Sequence, residues 1–146
     1  MRFMVIVKAT AESEKEGALP DPQLFAEMGK FNEELIKAGV VLAMDGLQPS
    51  SKGARVKFSG KSRTVIDGPF TEAKELIAGF WIWQVKSLEE AIEWVKRAPN
   101  CSPGVDSEVE IRQIGEMEDF APMLSEEEIQ YKIAKRAELS NQTANQ

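Results

Sequence analysis

The segment from Leu76 to Val85 is the most hydrophobic stretch of the chain. After Gly79 an extended backbone would place Trp81 and Trp83 on one side and Phe80 and Ile82 on the other. Large apolar residues on both sides describe a strand in the middle of a sheet, covered above and below. Arg2 to Lys8 repeats the pattern, with Phe3, Val5 and Val7 alternating with Met4 and Ile6. A fold that holds both strands must supply two layers of cover.

The segments between them read as the helices and further strands of such a fold. Asp21 can cap a helix whose first turn accepts Pro22; Leu24, Met28, Phe31 and Leu35 follow at helical spacing, and Ala38-Gly39 closes it. Val40 to Leu47 reads as a strand and Gln48 to Gly53 as a turn, while Arg55–Ser59 and Ser62–Ile66 form a hairpin around Gly60-Lys61. Ser87-Leu88-Glu89-Glu90 is a capping-box pattern opening a helix with an apolar stripe of Leu88, Ala91, Ile92 and Val95, ended by Ala98-Pro99-Asn100. Val109, Ile111 and Ile114 mark a last strand.

That order predicts an α+β domain of ferredoxin-like plan, an antiparallel sheet with helices on one face and an added hairpin. Helices cover only one face, so the apolar surface around Phe3, Val5, Trp81 and Trp83 is expected to meet a second copy in a homodimer. The domain is expected over residues 1–120. Residues 121–146 are expected to add a peripheral helix, opened by the capping box Ser125 to Glu128, running to about Leu139 with a thin stripe of Ile129, Ile133 and Ala137. Ser140 to Gln146 is expected to be a disordered tail.

Charge narrows the partners. The formal net charge is −6, and residues 116–128 hold six acids with no Lys or Arg, so that segment accounts for the whole imbalance. The remaining, neutral body offers no basic surface for a phosphate backbone, which argues against nucleic acid. No apolar run reaches the roughly 20 residues of a spanning helix and no leader pattern opens the chain, so neither a membrane partner nor processing is expected. The single cysteine, Cys101, suits a reducing, cytoplasmic setting. No dinucleotide or phosphate loop and no His/Cys cluster is present, so no cofactor and no metal is expected.

The densest polar cluster is Asp67-Gly68-Pro69-Phe70-Thr71-Glu72-Ala73-Lys74-Glu75, between the hairpin and the aromatic strand. Gly68 permits backbone angles that other residues avoid and Pro69 fixes its own φ, so the pair makes a rigid turn presenting Asp67, Glu72, Lys74 and Glu75. Those four residues are the first candidates for ligand contact, joined by Asp45 and by the Gln48 amide; Asp67 and Glu72 are the candidate catalytic carboxylates. A purely structural network of the same charges is equally open, and Phe70 reads as core. The basic hairpin residues Lys52, Arg55, Lys57, Lys61 and Arg63 fit a solvated face. Cys101 has no activating group beside it, and Trp81 and Trp83 suit burial better than ligand stacking.

The run Asp67-Gly68-Pro69-Phe70 with Glu72, Lys74 and Glu75, then Gly79-Phe80-Trp81, resembles the signature of DGPF-domain proteins in the YCII-related family. Gly46-Leu47-Gln48-Pro49 before it, and Leu88-Glu89-Glu90-Ala91 with Trp94 after it, fit the same pattern in order and spacing. The resemblance covers about Arg2 to Ile114. It implies a dimeric α+β barrel of ferredoxin-like subunits with a cleft near the sheet–sheet interface, lined by the motif loop. It also implies an accessory or regulatory role, since such proteins are often encoded beside extracytoplasmic-function sigma factors. Some relatives carry a His and Asp pair proposed to be catalytic, but this chain has no histidine. Two functions stay open: a dimeric module that binds a small molecule or a protein partner, which the missing histidine favours, and a carboxylate-dependent lyase or isomerase acting on a small metabolite, with Lys74 stabilising charge.

Overall fold

The computed structural model, which describes residues 1–145, runs β1 (Arg2–Lys8), α1 (Pro22–Lys37), β2 (Val41–Gly46), β3 (Ala54–Ser59), β4 (Ser62–Asp67) and β5 (Ile77–Gln84), then α2 (Leu88–Lys96), β6 (Val109–Gln113), α3 (Met117–Phe120) and α4 (Glu126–Ala144). The chain divides into two compact units, Met1–Gln113 and Ile114–Gln146. The first unit is the ferredoxin-like one. Its sheet has the order β2-β5-β1-β6 with every neighbouring pair antiparallel, and β3 and β4 form a separate hairpin.

Local chemistry starts the helices where the sequence indicates. The Asp21 carboxylate accepts a hydrogen bond from the Leu24 amide at 3.2 Å and Pro22 occupies the first turn of α1. Gly39, at φ 69°, takes the left-handed angle that ends it. At α2 the Ser87 hydroxyl accepts from the Glu90 amide at 3.1 Å, while the Glu90 carboxylate reaches back to the Lys86 amide at 2.7 Å.

The two apolar strand faces have different fates. Phe3 lies opposite Trp83 and Val5 opposite Trp81, and these four side chains pack with Phe31 and Leu35 of α1 and Ala91 of α2 in the core. The Phe31 ring meets Trp81 edge-on at 6.0 Å and Trp83 at 6.3 Å. The surface expected to face a second copy is therefore inside the subunit, beneath the helices. Alternation reveals two apolar faces without saying which one the helices take; here they cover the face with the indoles, whose larger area gains more from burial. The opposite face carries Met4 beside Ile82 and Ile6 beside Phe80; Ile6 is buried and the other three are half-buried. The Trp81 indole donates to Asn32 Oδ1 at 2.9 Å, whereas the buried Trp83 indole N–H finds no acceptor among the described residues.

The second unit holds α3 and α4. Ser125 and Glu128 form the expected reciprocal capping box, and the Ser125 amide and hydroxyl hold the Glu128 carboxyl below the usual carboxylate range. The helix then continues past Leu139 to Ala144, through residues expected to be disordered; the Ser140 and Thr143 hydroxyls bond back to the Arg136 and Leu139 carbonyls rather than breaking the helix. Gln146 lies outside the described residues. Residues 117–120, for which no element was expected, form the short α3, started by a Glu116–Asp119 capping box.

The core assignment separates two adjacent residues of α1, Leu35 with no exposed surface and Ile36 at 55% exposure. Leu35→Ala is expected to cost about 3 kcal/mol in urea unfolding and Ile36→Ala under about 1 kcal/mol.

Candidate functional site

Antiparallel pairing brings the end of β1, the end of β2 and the start of β5 to one end of the sheet, where the backbones lie close. Gly46 pairs with Gly79, and a Cβ on Gly79 would stand 2.9 Å from the Asp45 carbonyl oxygen. Above these strand ends, the Thr10–Pro20 loop, the first half of α1 and the Cys101–Val105 loop enclose a cleft of about 1030 Å³. Its wall is apolar in the main, with Leu24, Phe25, Met28, Met44 and Trp81 among the lining side chains, and Phe25 is 71% exposed.

The polar groups of the wall are few. Asp45 and Gln48 line it, and both are exposed. Asn32 lines it as well, with its amide oriented by the Trp81 indole. Because the Asn32 oxygen takes the indole proton, its Nδ2 is left as a donor. Lys8 stands at the cleft and is paired with Glu110 at 3.5 Å. Cys101 also lines it, and burial pushes its thiol up, which keeps it protonated and a weak nucleophile at neutral pH.

The motif loop lies elsewhere. Asp67, Glu72, Lys74 and Glu75 are exposed, do not line the cleft, and make no side-chain hydrogen bond or ion pair among the described residues. The Gly68 turn accounts for this placement. A Cβ on Gly68 would lie 1.7 Å from the Ser50 carbonyl oxygen, so the turn backbone is pressed against the 3₁₀ turn Ser50–Lys52. The Gly68 amide donates to the Gly53 carbonyl at 3.1 Å and the Phe70 amide to Ser50 Oγ at 3.0 Å. Phe70 is half-buried, with the Arg55 guanidinium 3.8 Å over its ring, so one residue of the basic hairpin caps the motif. With its backbone turned toward Ser50, the loop leaves its charged side chains outside.

Ser50 joins the motif to the loop that walls the cleft. Its amide and hydroxyl both donate to the carboxylate of Glu14, which belongs to the loop that walls the cleft. Neither Glu14 nor Asn32 belongs to a motif of the sequence. Glu14 sits in a polar run with no periodicity. Asn32 had a signal, as a polar residue one turn after Met28 and beside Phe31 on the apolar stripe of α1.

Among the described residues, no group of three or more His, Cys, Asp or Glu side chains stands where it could hold a metal ion, and no helix is long and apolar enough to cross a membrane. A family model described as YCII-related domain matches residues 1–115. The chain is also similar to an uncharacterized protein of Rhizobium meliloti (strain 1021), with 28% identity over 87 residues, 60% of this chain and 70% of that protein.

The two glycines that flank the Ser50 turn differ in what they permit. Gly68→Ala forces a Cβ into the Ser50 backbone, whereas a Cβ on Gly53 meets its nearest neighbour at an ordinary 3.5 Å. Gly68→Ala is expected to destabilise the protein by about 3 kcal/mol or more, and Gly53→Ala by no more than about 1 kcal/mol, in denaturant titrations.

Proposed function

The chain belongs to the YCII-related domain family, and on that footing we propose that it is a homodimeric small-molecule-binding module whose ligand occupies the cleft at the strand ends. The observation that carries this reading is the composition of the cleft wall: broad apolar surface, part of it exposed on Phe25, with an oriented amide donor at Asn32 and acceptors at Asp45 and Gln48. A matching ligand has an apolar body, an acceptor for the Asn32 amide and a hydroxyl or amine for Asp45. Asp67, Glu72, Lys74 and Glu75 hold no ligand on this reading.

Binding is favoured over catalysis by the placement of the carboxylates. Those of Asp45, Asp67 and Glu72 are all exposed, and none stands in a closed, water-excluded setting. An accessory or regulatory role follows, of which partnership with an extracytoplasmic-function sigma factor is one specific form. The dimer uses the sheet face away from the helices, where Met4, Ile6, Phe80 and Ile82 form an apolar patch at the centre of the sheet, and two such faces meeting would complete an α+β barrel.

A metabolite screen by thermal shift tests the cleft. Asp45→Asn and Asn32→Ala are expected to weaken a hit about tenfold each, the worth of one buried hydrogen bond or a little more, while Glu72→Gln and Lys74→Met leave it within about twofold. A hit lost in Glu72→Gln and untouched by Asp45→Asn would move the site to the motif loop. Sedimentation equilibrium at micromolar concentration tests the dimer: the wild type is expected at twice 16.3 kDa and Ile82→Glu at 16.3 kDa.

A further inference from the structure

Residues 11–20 are exposed with the exception of Glu14, whose side chain turns back into the subunit. The segment starts from Ala9, which is buried and whose amide bonds the Leu76 carbonyl at 2.9 Å, and it ends at the Asp21 cap of α1. Bonds within it are local: the Thr10 amide donates to Ser13 Oγ at 2.8 Å and Lys15 pairs with Glu12 at 2.7 Å. Exposed ion pairs of that kind add little. The loop thus has firm ends and a solvated middle, and it forms one wall of the cleft.

Glu14 alters what this loop can do. Its carboxylate accepts from the Ser50 amide at 3.1 Å and from the Ser50 hydroxyl, across 36 positions of sequence and in partly buried surroundings. The Ser50 hydroxyl has one proton to give, and its oxygen is already occupied as acceptor by the Phe70 amide at 3.0 Å, so that proton is directed to Glu14. The Phe70 amide is in turn held by the Gly68 turn, which packs on the Ser50 carbonyl. A chain of contacts therefore runs from the Asp67–Phe70 motif through Ser50 to the middle of the loop.

We infer that Thr10–Pro20 is a lid over the cleft, latched by Glu14 on Ser50, and that the motif turn is the post on which the latch closes. The assignment rests on the reading of the cleft as a ligand site and adds to it how entry and release are controlled. Opening requires only that two charge-assisted hydrogen bonds break at one point, because the loop is otherwise bonded to itself; such a segment opens locally without global unfolding. Glu14 is a positioning residue in this scheme and touches no ligand.

The latch is testable without knowing the natural ligand. Trypsin reports the lid directly, since Lys15 follows Glu14, and 8-anilinonaphthalene-1-sulfonate serves as a fluorescent probe of the apolar cleft. Glu14→Ala, which leaves no acceptor for the Ser50 amide or hydroxyl, is expected to keep its melting temperature within a few degrees, to be cut after Lys15 about tenfold faster, and to take up and release the probe about tenfold faster in stopped flow with its Kd within about twofold. Ser50→Ala removes the hydroxyl half of the latch and leaves the amide half; it keeps the trypsin site unchanged, is expected to raise cleavage by a smaller factor of about threefold, and replaces Glu14→Ala if that variant fails to fold. Unchanged cleavage overturns the latch. Faster cleavage with unchanged probe kinetics overturns the lid, because a loop that is merely loosened does not gate. Probe binding that survives Phe25→Ser overturns the cleft as the ligand site, a separate failure that leaves the cleavage result to decide the latch.

Discussion

The packing of Phe31 against Trp81 and Trp83 governs the first unit. It fixes α1 on the sheet, buries the two largest side chains of β5, and commits the helices to that face. The same contact shapes the cleft, because Trp81 contributes its ring to the core and its indole N–H to Asn32 on the rim. Removal of any of the three rings would disturb the wall of the cleft together with the core.

Cleft and motif are adjacent but distinct. Gly79 lets β2 and β5 close up at the base of the cleft, and Gly68 lets the motif turn press on Ser50, so each glycine stands where two backbones approach too closely for a side chain. In both places the glycine serves contact between segments of the chain. The groups facing the cleft come from β1, α1, β2, β5 and the loops, scattered along the chain.

Much of the first unit was legible in the sequence because its signals are local and periodic. The Asp21 and Ser87 caps, the hairpin about Gly60-Lys61 and the two-sided strands lie within a residue or two of where spacing puts them. The side of the sheet chosen by the helices was not legible, since Phe80 and Ile82 are as apolar as the tryptophans and the choice depends on how α1 and α2 pack in three dimensions. The lining of the candidate cleft was legible only in part. Asp45 and Gln48 lie in the cleft, whereas the charges of the motif, the most conspicuous in the chain, lie outside it. A cluster of charges marks a well-solvated segment as readily as a site, and Glu14 owes its place to Ser50, which no local pattern could join to it.

The Gly68 turn bears on how the family's proteins are compared. In this chain the run that is easiest to spot is a joint: it admits only glycine at position 68 for steric reasons and stands outside the cleft. On the proposed reading of the cleft, the residues to compare when sorting such proteins by what they carry are the scattered ones at positions 25, 28, 32, 45 and 48.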